Sequence, residues 1–113
     1  MTVTWIKCNG DIWCPFETVN LASVNAFGVY IIWHGGPNPW TVRVGQGDIA
    51  ARIIAHRSDS EVLVHKGLGL WVTWASVPAV QMHGVENYLA DRLSPKVGER
   101  WPDAEPIAVN LPW

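Results

Sequence analysis

Arg52 and His56 are the residues whose types and spacing most directly indicate chemistry. They stand four apart in residues 49–57, where isoleucines recur at helical spacing, so both side chains should lie on one face of a helix. A guanidinium presents planar donors to phosphate oxygens and stays charged, which suits binding of a phosphodiester. By themselves the two residues are also an ordinary helix-surface pair, so the neighbouring elements must decide between these interpretations.

A β-hairpin is predicted immediately before this helix. Residues 27–34 are dense in β-branched and aromatic types, which favours a buried strand. Residues 35–39 read Gly-Gly-Pro-Asn-Pro, a strong turn signal, and residues 40–44 form a second strand. Asp48 has the character of an N-cap and begins the helix that carries Arg52 and His56.

The remainder of the chain predicts one more strand and one more helix. Residues 68–77 are strand-like, and an apolar stripe after Pro78 indicates a helix that ends at Ser94-Pro95. We expect a single α+β domain over residues 1–113, with a small three-stranded antiparallel sheet flanked by helices. Its motif-bearing core is predicted at 27–95, between an irregular arm (1–26) and an extended closing segment (96–113).

The motifs of this core resemble those of the GIY-YIG nuclease family. Gly28-Val29-Tyr30 is similar to the first signature, and Arg43-Val44-Gly45 stands in place of the second. A Gly-x-Gly-Asp-Ile turn, then Arg52 and His56, and finally Val85-Glu86 in a helix that ends at a proline, continue the pattern in order. The similarity covers residues 27–95, and Asn110 matches a late family asparagine.

The resemblance implies a role for each matching side chain. Tyr30 would lie next to the attacking water as base or proton relay, Arg52 would meet the scissile phosphate, and His56 would assist orientation or proton transfer. Glu86 would hold a single Mg²⁺ or Mn²⁺, the metal then keeping several waters and contacting substrate phosphate. We therefore expect five side chains to converge on one concave face of the sheet: Tyr30, Arg43, Arg52, His56 and Glu86.

Two points of this site depend on charge. A phenol has a pKa near ~10, so Tyr30 acts as a base only if nearby cations, such as Arg43, Arg52 or the metal, lower that value. Arg43 replaces the tyrosine that begins the family's second signature. Loss of that phenol could abolish activity, or Arg43 could supply a charged phosphate contact in its place. The sequence leaves both alternatives open.

Composition limits the nature of any partner. The formal net charge is −2 and the chain has no basic run, which counts against tight autonomous binding to a polyanion. The partner implied by the resemblance is nucleic acid, DNA in the first place, bound directly or through another protein. Neither a signal peptide nor a membrane-spanning stretch is evident, so the cytoplasm is the expected location.

Cysteine and tryptophan add two further expectations. Cys8 and Cys14 do not match a zinc spacing and are interpreted as reduced, partly buried thiols. The chain has eight tryptophans, which we assign mainly to the core because most stand in strand-like runs; base stacking is the rival interpretation.

Two functions from different classes follow. The first is a metal-dependent endonuclease that hydrolyses nucleic-acid phosphodiester bonds. The second is a catalytically inactive nucleic-acid or protein interaction module that keeps the fold without turnover, since fold alone does not determine function.

Overall fold

A computed structural model describes residues 1–98 and 101–113 and confirms an α+β domain. The helices and strands are, in chain order, β1 (Cys14–Pro15), β2 (Phe27–His34), β3 (Trp40–Asp48), α1 (Ile49–His56), α2 (Ser60–Leu63), β4 (Leu70–Ser76) and α3 (Ala79–Leu93). The sheet is antiparallel, with the strand order β1-β4-β2-β3. It has four strands where three were predicted, because the short β1 lies in the arm that was expected to be irregular.

The N-terminal arm owes part of its order to a disulfide bond between Cys8 and Cys14. The interpretation of these cysteines as reduced thiols was therefore wrong. Cys14 opens β1, pairs with Val72 of β4, and its side chain is fully buried. The arm is fixed further by Arg57, which donates hydrogen bonds to the carbonyl oxygens of Phe16 and Val19.

The predicted hairpin is present, but its second strand is longer than expected. β3 continues past residue 44 and stays paired with β2 as far as Asp48, which then caps α1 by accepting a hydrogen bond from the backbone N–H of Ala51. Val42 is an additional residue in the ladder, because Ile32 pairs with Arg43 while Trp33 pairs with Thr41. Arg43 lies on the same face of the sheet as Ile32 because the two residues are paired, and the bulge turns the Val42 side chain toward that face as well.

Both faces of the sheet are covered, since β2 is buried from its second residue to its last. One face, with Tyr30 and Ile32, packs against α1, α2 and part of the arm. The opposite face, with Val29 and Ile31, packs against α3 and both chain ends. This division into an α1 face and an α3 face determines which functional side chains can meet.

The two ends of the chain close the domain on the α3 face. The side chain of Asn110 accepts a hydrogen bond from the backbone N–H of Val3 and donates one to its carbonyl oxygen. Earlier in the closing segment, the N–H groups of Lys96 and Val97 bind the carbonyl oxygens of Thr41 and Val42, at the outer edge of β3. Within residues 1–98 and 101–113, no helix has the length and apolar character needed to cross a membrane.

The tryptophans divide between core and surface. Trp33 and Trp74 are buried, whereas four others are only half-buried. Trp40 and Trp113 are 50% and 57% exposed. The assignment of most tryptophans to the core is therefore fully correct for two of them, Trp33 and Trp74. Core packing does not explain the exposed pair, Trp40 and Trp113.

Candidate active site

Tyr30 and His56 form the centre of the candidate site. The Tyr30 hydroxyl lies 2.6 Å from Nε2 of His56, and both side chains are buried on the α1 face. Side chains alternate between the two faces of the sheet along β2, which directs Tyr30 toward the α1 face. His56 reaches the same face from the last turn of α1. Each was proposed from the sequence, and the fold brings them into direct contact.

Asp59 extends this pair and was not singled out in the sequence. Its Oδ2 atom lies 3.5 Å from Nδ1 of His56, and its Oδ1 accepts a hydrogen bond from the N–H of Glu61 at the start of α2. A carboxylate beside Nδ1 favours the tautomer with its proton on that nitrogen, so Nε2 accepts a hydrogen bond from the Tyr30 hydroxyl. The result is a chain of contacts Tyr30–His56–Asp59. The spacing His56-x-x-Asp59 after a helix end could have identified it.

The protonation states follow from burial and from nearby charge. Burial raises the pKa of the Tyr30 hydroxyl, and the guanidinium groups of Arg52 and Arg43 oppose that rise without overcoming it. The condition for a free phenolate base, a lowered pKa, is therefore not met. Burial and the same two cations lower the pKa of His56, while Asp59 raises it. At neutral pH the pair consists of a neutral phenol and a neutral imidazole.

Arg43 and Arg52 approach the Tyr30 hydroxyl from β3 and α1. Both lower its pKa through charge and hydrogen bonding, although neither makes a hydrogen bond of regular geometry to it. Arg52 is exposed, whereas Arg43 is half-buried and its Nε atom has no hydrogen-bond partner among residues 1–98 and 101–113. Within the part of the chain that the structure describes, neither guanidinium forms a salt bridge. Two cations that act on one hydroxyl make this point of the site attractive to an anion.

Two glycines make room for this arrangement. Gly45 pairs with Tyr30, and a Cβ atom at Gly45 would lie 2.1 Å from the Tyr30 hydroxyl oxygen, so only glycine allows the ring to cross β3. Gly47 has a φ angle of 122° and lies under the Arg52 side chain. The Gly-x-Gly segment therefore serves both the phenol and the guanidinium.

Glu86 does not share the face of the other four residues. It lies on α3, which packs on the opposite side of the sheet, and its Oε2 accepts a hydrogen bond from Nε2 of Gln46. The expectation of five side chains on one concave face is therefore wrong for Glu86. The reason is that the helix after β4 must cover the second apolar face of β2. The hydrogen bond from Gln46 places the Glu86 carboxylate beside β3, and the charges of Arg43 and Arg52 act to lower its pKa.

Burial raises the pKa of Glu86, and the Gln46 hydrogen bond and nearby cations, Arg43 first, oppose that rise. Among residues 1–98 and 101–113, no cluster of three or more His, Cys, Asp or Glu side chains could hold a metal. The residues fit a single-carboxylate site, in which Gln46 donates a hydrogen bond to Oε2 of Glu86, and Mg²⁺ commonly takes most of its other ligands from water and phosphate.

Other residues noted in the sequence lie apart from this centre. Asn110 binds Val3 and joins the chain ends. His34 and His65 stack with ring centroids 5.6 Å apart, beside the turn after β2. His83 is exposed on α3.

Known proteins do not assist the assignment: no protein-family model, no curated protein and no solved structure matches this chain. The functional argument therefore rests on the residues themselves.

Proposed function

We propose that this protein is a metal-dependent endonuclease that hydrolyses nucleic-acid phosphodiester bonds. One observation carries the proposal. The guanidinium groups of Arg43 and Arg52 act on the Tyr30 hydroxyl, which is hydrogen-bonded to His56. This combination suits phosphodiester hydrolysis, because charge on the phosphate is neutralised close to the point where a proton leaves the attacking water. The order of the GIY-YIG-like motifs along the chain supports the same assignment.

The residues divide the reaction between anion binding and proton transfer. Arg52 and Arg43 hold the non-bridging phosphate oxygens and neutralise the charge that develops on them. As water attacks phosphorus, its proton passes to the Tyr30 oxygen while the Tyr30 proton moves to Nε2 of His56. Asp59 then stabilises the imidazolium. His56 is suited to this role because its lowered pKa keeps it unprotonated at neutral pH.

The bond to the leaving alkoxide breaks as the new phosphorus–oxygen bond forms. A Mg²⁺ or Mn²⁺ ion held by Glu86, by water and by substrate phosphate would supply Lewis-acid stabilisation of that alkoxide. Because one carboxylate is a poor cage, metal affinity should be weak in the free protein and rise when an oligonucleotide is added. Tight binding that survives Glu86→Ala would indicate a different metal site.

A binding module without turnover is the second candidate. Complete burial of the Tyr30 side chain favours it, since a phenol without exposed surface cannot meet water directly. The enzyme proposal therefore requires the side chains that cover the Tyr30 hydroxyl to move when phosphate binds.

A cleavage assay separates the two candidates. Single-stranded, duplex and branched DNA and RNA are incubated with Mg²⁺ or Mn²⁺, with Glu86→Ala and Arg52→Ala as loss-of-function variants and Lys66→Ala as an exposed cation away from the centre. The enzyme proposal expects cleavage by wild type and Lys66→Ala only. Salt-sensitive binding without cleavage of any substrate favours the module.

A further inference from the structure

An aromatic groove lies on the α3 face, away from the Tyr30–His56 centre. It has a volume of about 400 Å³ and its lining includes three indoles, one guanidinium and two apolar side chains, namely Trp33, Trp40, Trp113, Arg92, Pro39 and Leu93. Trp40 and Trp113 are 50% and 57% exposed, which is a large apolar area to leave in water. The candidate active site uses none of these side chains.

The indoles of the groove are held in fixed orientations. Trp113 packs against Trp33 with ring centroids 4.8 Å apart, and Trp33 in turn meets Trp13 edge-on at 5.5 Å. The Nε1 of Trp40 donates a hydrogen bond of 2.8 Å to the carbonyl oxygen of Ser94. Indole side chains that are already held in place lose little conformational entropy when a ring stacks on them, so the groove is preorganised for a flat ligand.

We propose that this groove binds a base of single-stranded nucleic acid, stacked on Trp40 and Trp113, with an adjacent phosphate on Arg92. Every base offers a π-face to an indole, and among the described residues (1–98 and 101–113) none that lines the groove has a carboxylate side chain to repel phosphate. The inference rests in part on the proposed nuclease function, which supplies a reason for nucleic acid to reach this surface.

Other ring-bearing ligands match the groove less well. Aromatic grooves for proline-rich peptides offer free donors to the peptide carbonyls, and here one of the indole N–H groups, that of Trp40, is already hydrogen-bonded to the carbonyl oxygen of Ser94. A sugar ring would bring many hydroxyls, and within the part of the chain that the structure describes no side-chain carboxylate or carboxamide lines the groove to pair with them.

The position of the groove favours a single strand over a duplex. Trp40 begins β3, and Arg43 lies three residues further, about 10 Å at about 3.3 Å per residue. Lys96, which is exposed and whose backbone binds Thr41, adds a cation at the same edge. A nucleic acid that reaches both the groove and the Arg43–Arg52 pair must bend around the edge of β3, from the α3 face to the α1 face. A flexible single strand can do this more easily than a stiff duplex.

The test measures binding with metal omitted, so that cleavage does not interfere. The probes are a short labelled oligothymidylate and an abasic oligomer of the same length, which keeps the phosphates and lacks the bases. We expect wild type to prefer the oligothymidylate, Trp40→Ala to weaken that binding about tenfold, and Trp40→Phe to retain most of it. Binding of the abasic oligomer should be the same in all three proteins, and their melting temperatures verify folding.

Several results would overturn the inference: equal binding of the two oligomers by wild type, unchanged oligothymidylate binding by Trp40→Ala, or displacement of the oligothymidylate by a proline-rich peptide that binds more tightly. The nuclease proposal fails separately. If wild type cleaves no substrate and still binds bases through Trp40, the base-binding inference is supported and the nuclease proposal is contradicted. If wild type cleaves and Trp40→Ala binds the oligothymidylate as tightly as wild type, the nuclease proposal is supported and the base-binding inference is contradicted.

Discussion

The hydroxyl oxygen of Tyr30 and Nε2 of His56 are 2.6 Å apart, although 26 residues separate them in the chain. This contact joins the central strand β2 to the last turn of α1 inside the core. A buried polar pair is tolerated when its hydrogen-bonding groups are satisfied, and here each partner satisfies the other. The same contact makes the stability of the fold depend on the protonation of His56.

His56 should make the protein lose stability in mild acid. Its folded-state pKa is lowered from the ordinary 6.5, so below that value the unfolded chain binds more protons than the native state. The free energy of unfolding should therefore fall as the pH drops through 6.5 toward the lowered folded-state pKa. Urea unfolding at about pH 7.5 and about pH 5.5 should show a smaller loss for His56→Gln, which does not titrate. Equal losses in both proteins would contradict this account.

Asp59→Asn should separate proton transfer from folding. Asparagine caps a helix as well as aspartate does, so α2 and the melting temperature should change little. Removal of the carboxylate takes away the charge that raises the pKa of His56, and an NMR titration should show that pKa falling further. Cleavage should slow about tenfold, since the imidazolium loses its partner. An unaltered His56 titration would remove Asp59 from the relay.

Gly45→Ala should damage the fold through one methyl group. Its Cβ would lie 2.1 Å from the Tyr30 hydroxyl oxygen and 2.3 Å from the ring, in a fully buried position. Overpacking of this kind costs about 1–3 kcal/mol, and we expect the upper end of that range in chemical unfolding. Gly67→Ala is the matched control, because no atom lies within 4 Å of its added Cβ. Equal stability of the two variants would argue against the observed Tyr30 packing.

Arg43 stands where the GIY-YIG-like motif would have a tyrosine, and its role tests whether the proposed site can cleave. If Arg43 is a second phosphate clamp, Arg43→Ala should reduce cleavage as Arg52→Ala does, by about 3 kcal/mol or roughly a hundredfold. If the site has lost activity, Arg43→Tyr should raise cleavage from nothing and Arg43→Ala should alter only binding. One metal-dependent assay compares these variants. The same rate in wild type, Arg43→Ala and Arg43→Tyr would remove Arg43 from the chemistry.

Glu86→Gln should stabilise the protein while it abolishes cleavage. Burial raises the folded-state pKa of Glu86, so folding favours the protonated carboxyl and the charged form costs stability at neutral pH. The neutral amide keeps a partner for Gln46 and avoids that cost. Its stability advantage at about pH 7 should shrink as the pH falls toward about 4, where wild type becomes protonated. A variant less stable than wild type at neutral pH would show that the surrounding groups offset the cost of burying the Glu86 charge.

Local patterns predicted the elements that carry the site. Residues 27–34, the turn that follows and the Asp48 cap have local causes, namely β-branched composition, proline with glycine, and a carboxylate that satisfies backbone donors. The continuation of β3 to Asp48 was missed because two glycines there resemble the end of a strand. Gly45 is accommodated within the strand because the Tyr30 ring lies over it, where any Cβ atom would clash.

Relationships between layers could not be predicted in the same way. The helical stripe of α3 shows that one face is buried, but it does not show which side of the sheet that face covers. Glu86 was therefore expected beside Tyr30 and lies across the sheet. Asp59 was missed because its contact with His56 depends on the turn between α1 and α2, and the pairing of Cys8 with Cys14 depends on the fold of the arm.

The amide of Asn110 binds both backbone groups of Val3, and the terminal ammonium of Met1 donates to the carbonyl oxygen of Ala108. The first and last segments of the domain are thus neighbours in space. Closely spaced ends permit circular permutation. A short glycine–serine linker between them, with new ends opened at the exposed Gly67, should give a rearranged chain that keeps Tyr30, Arg43, Arg52 and His56 in place.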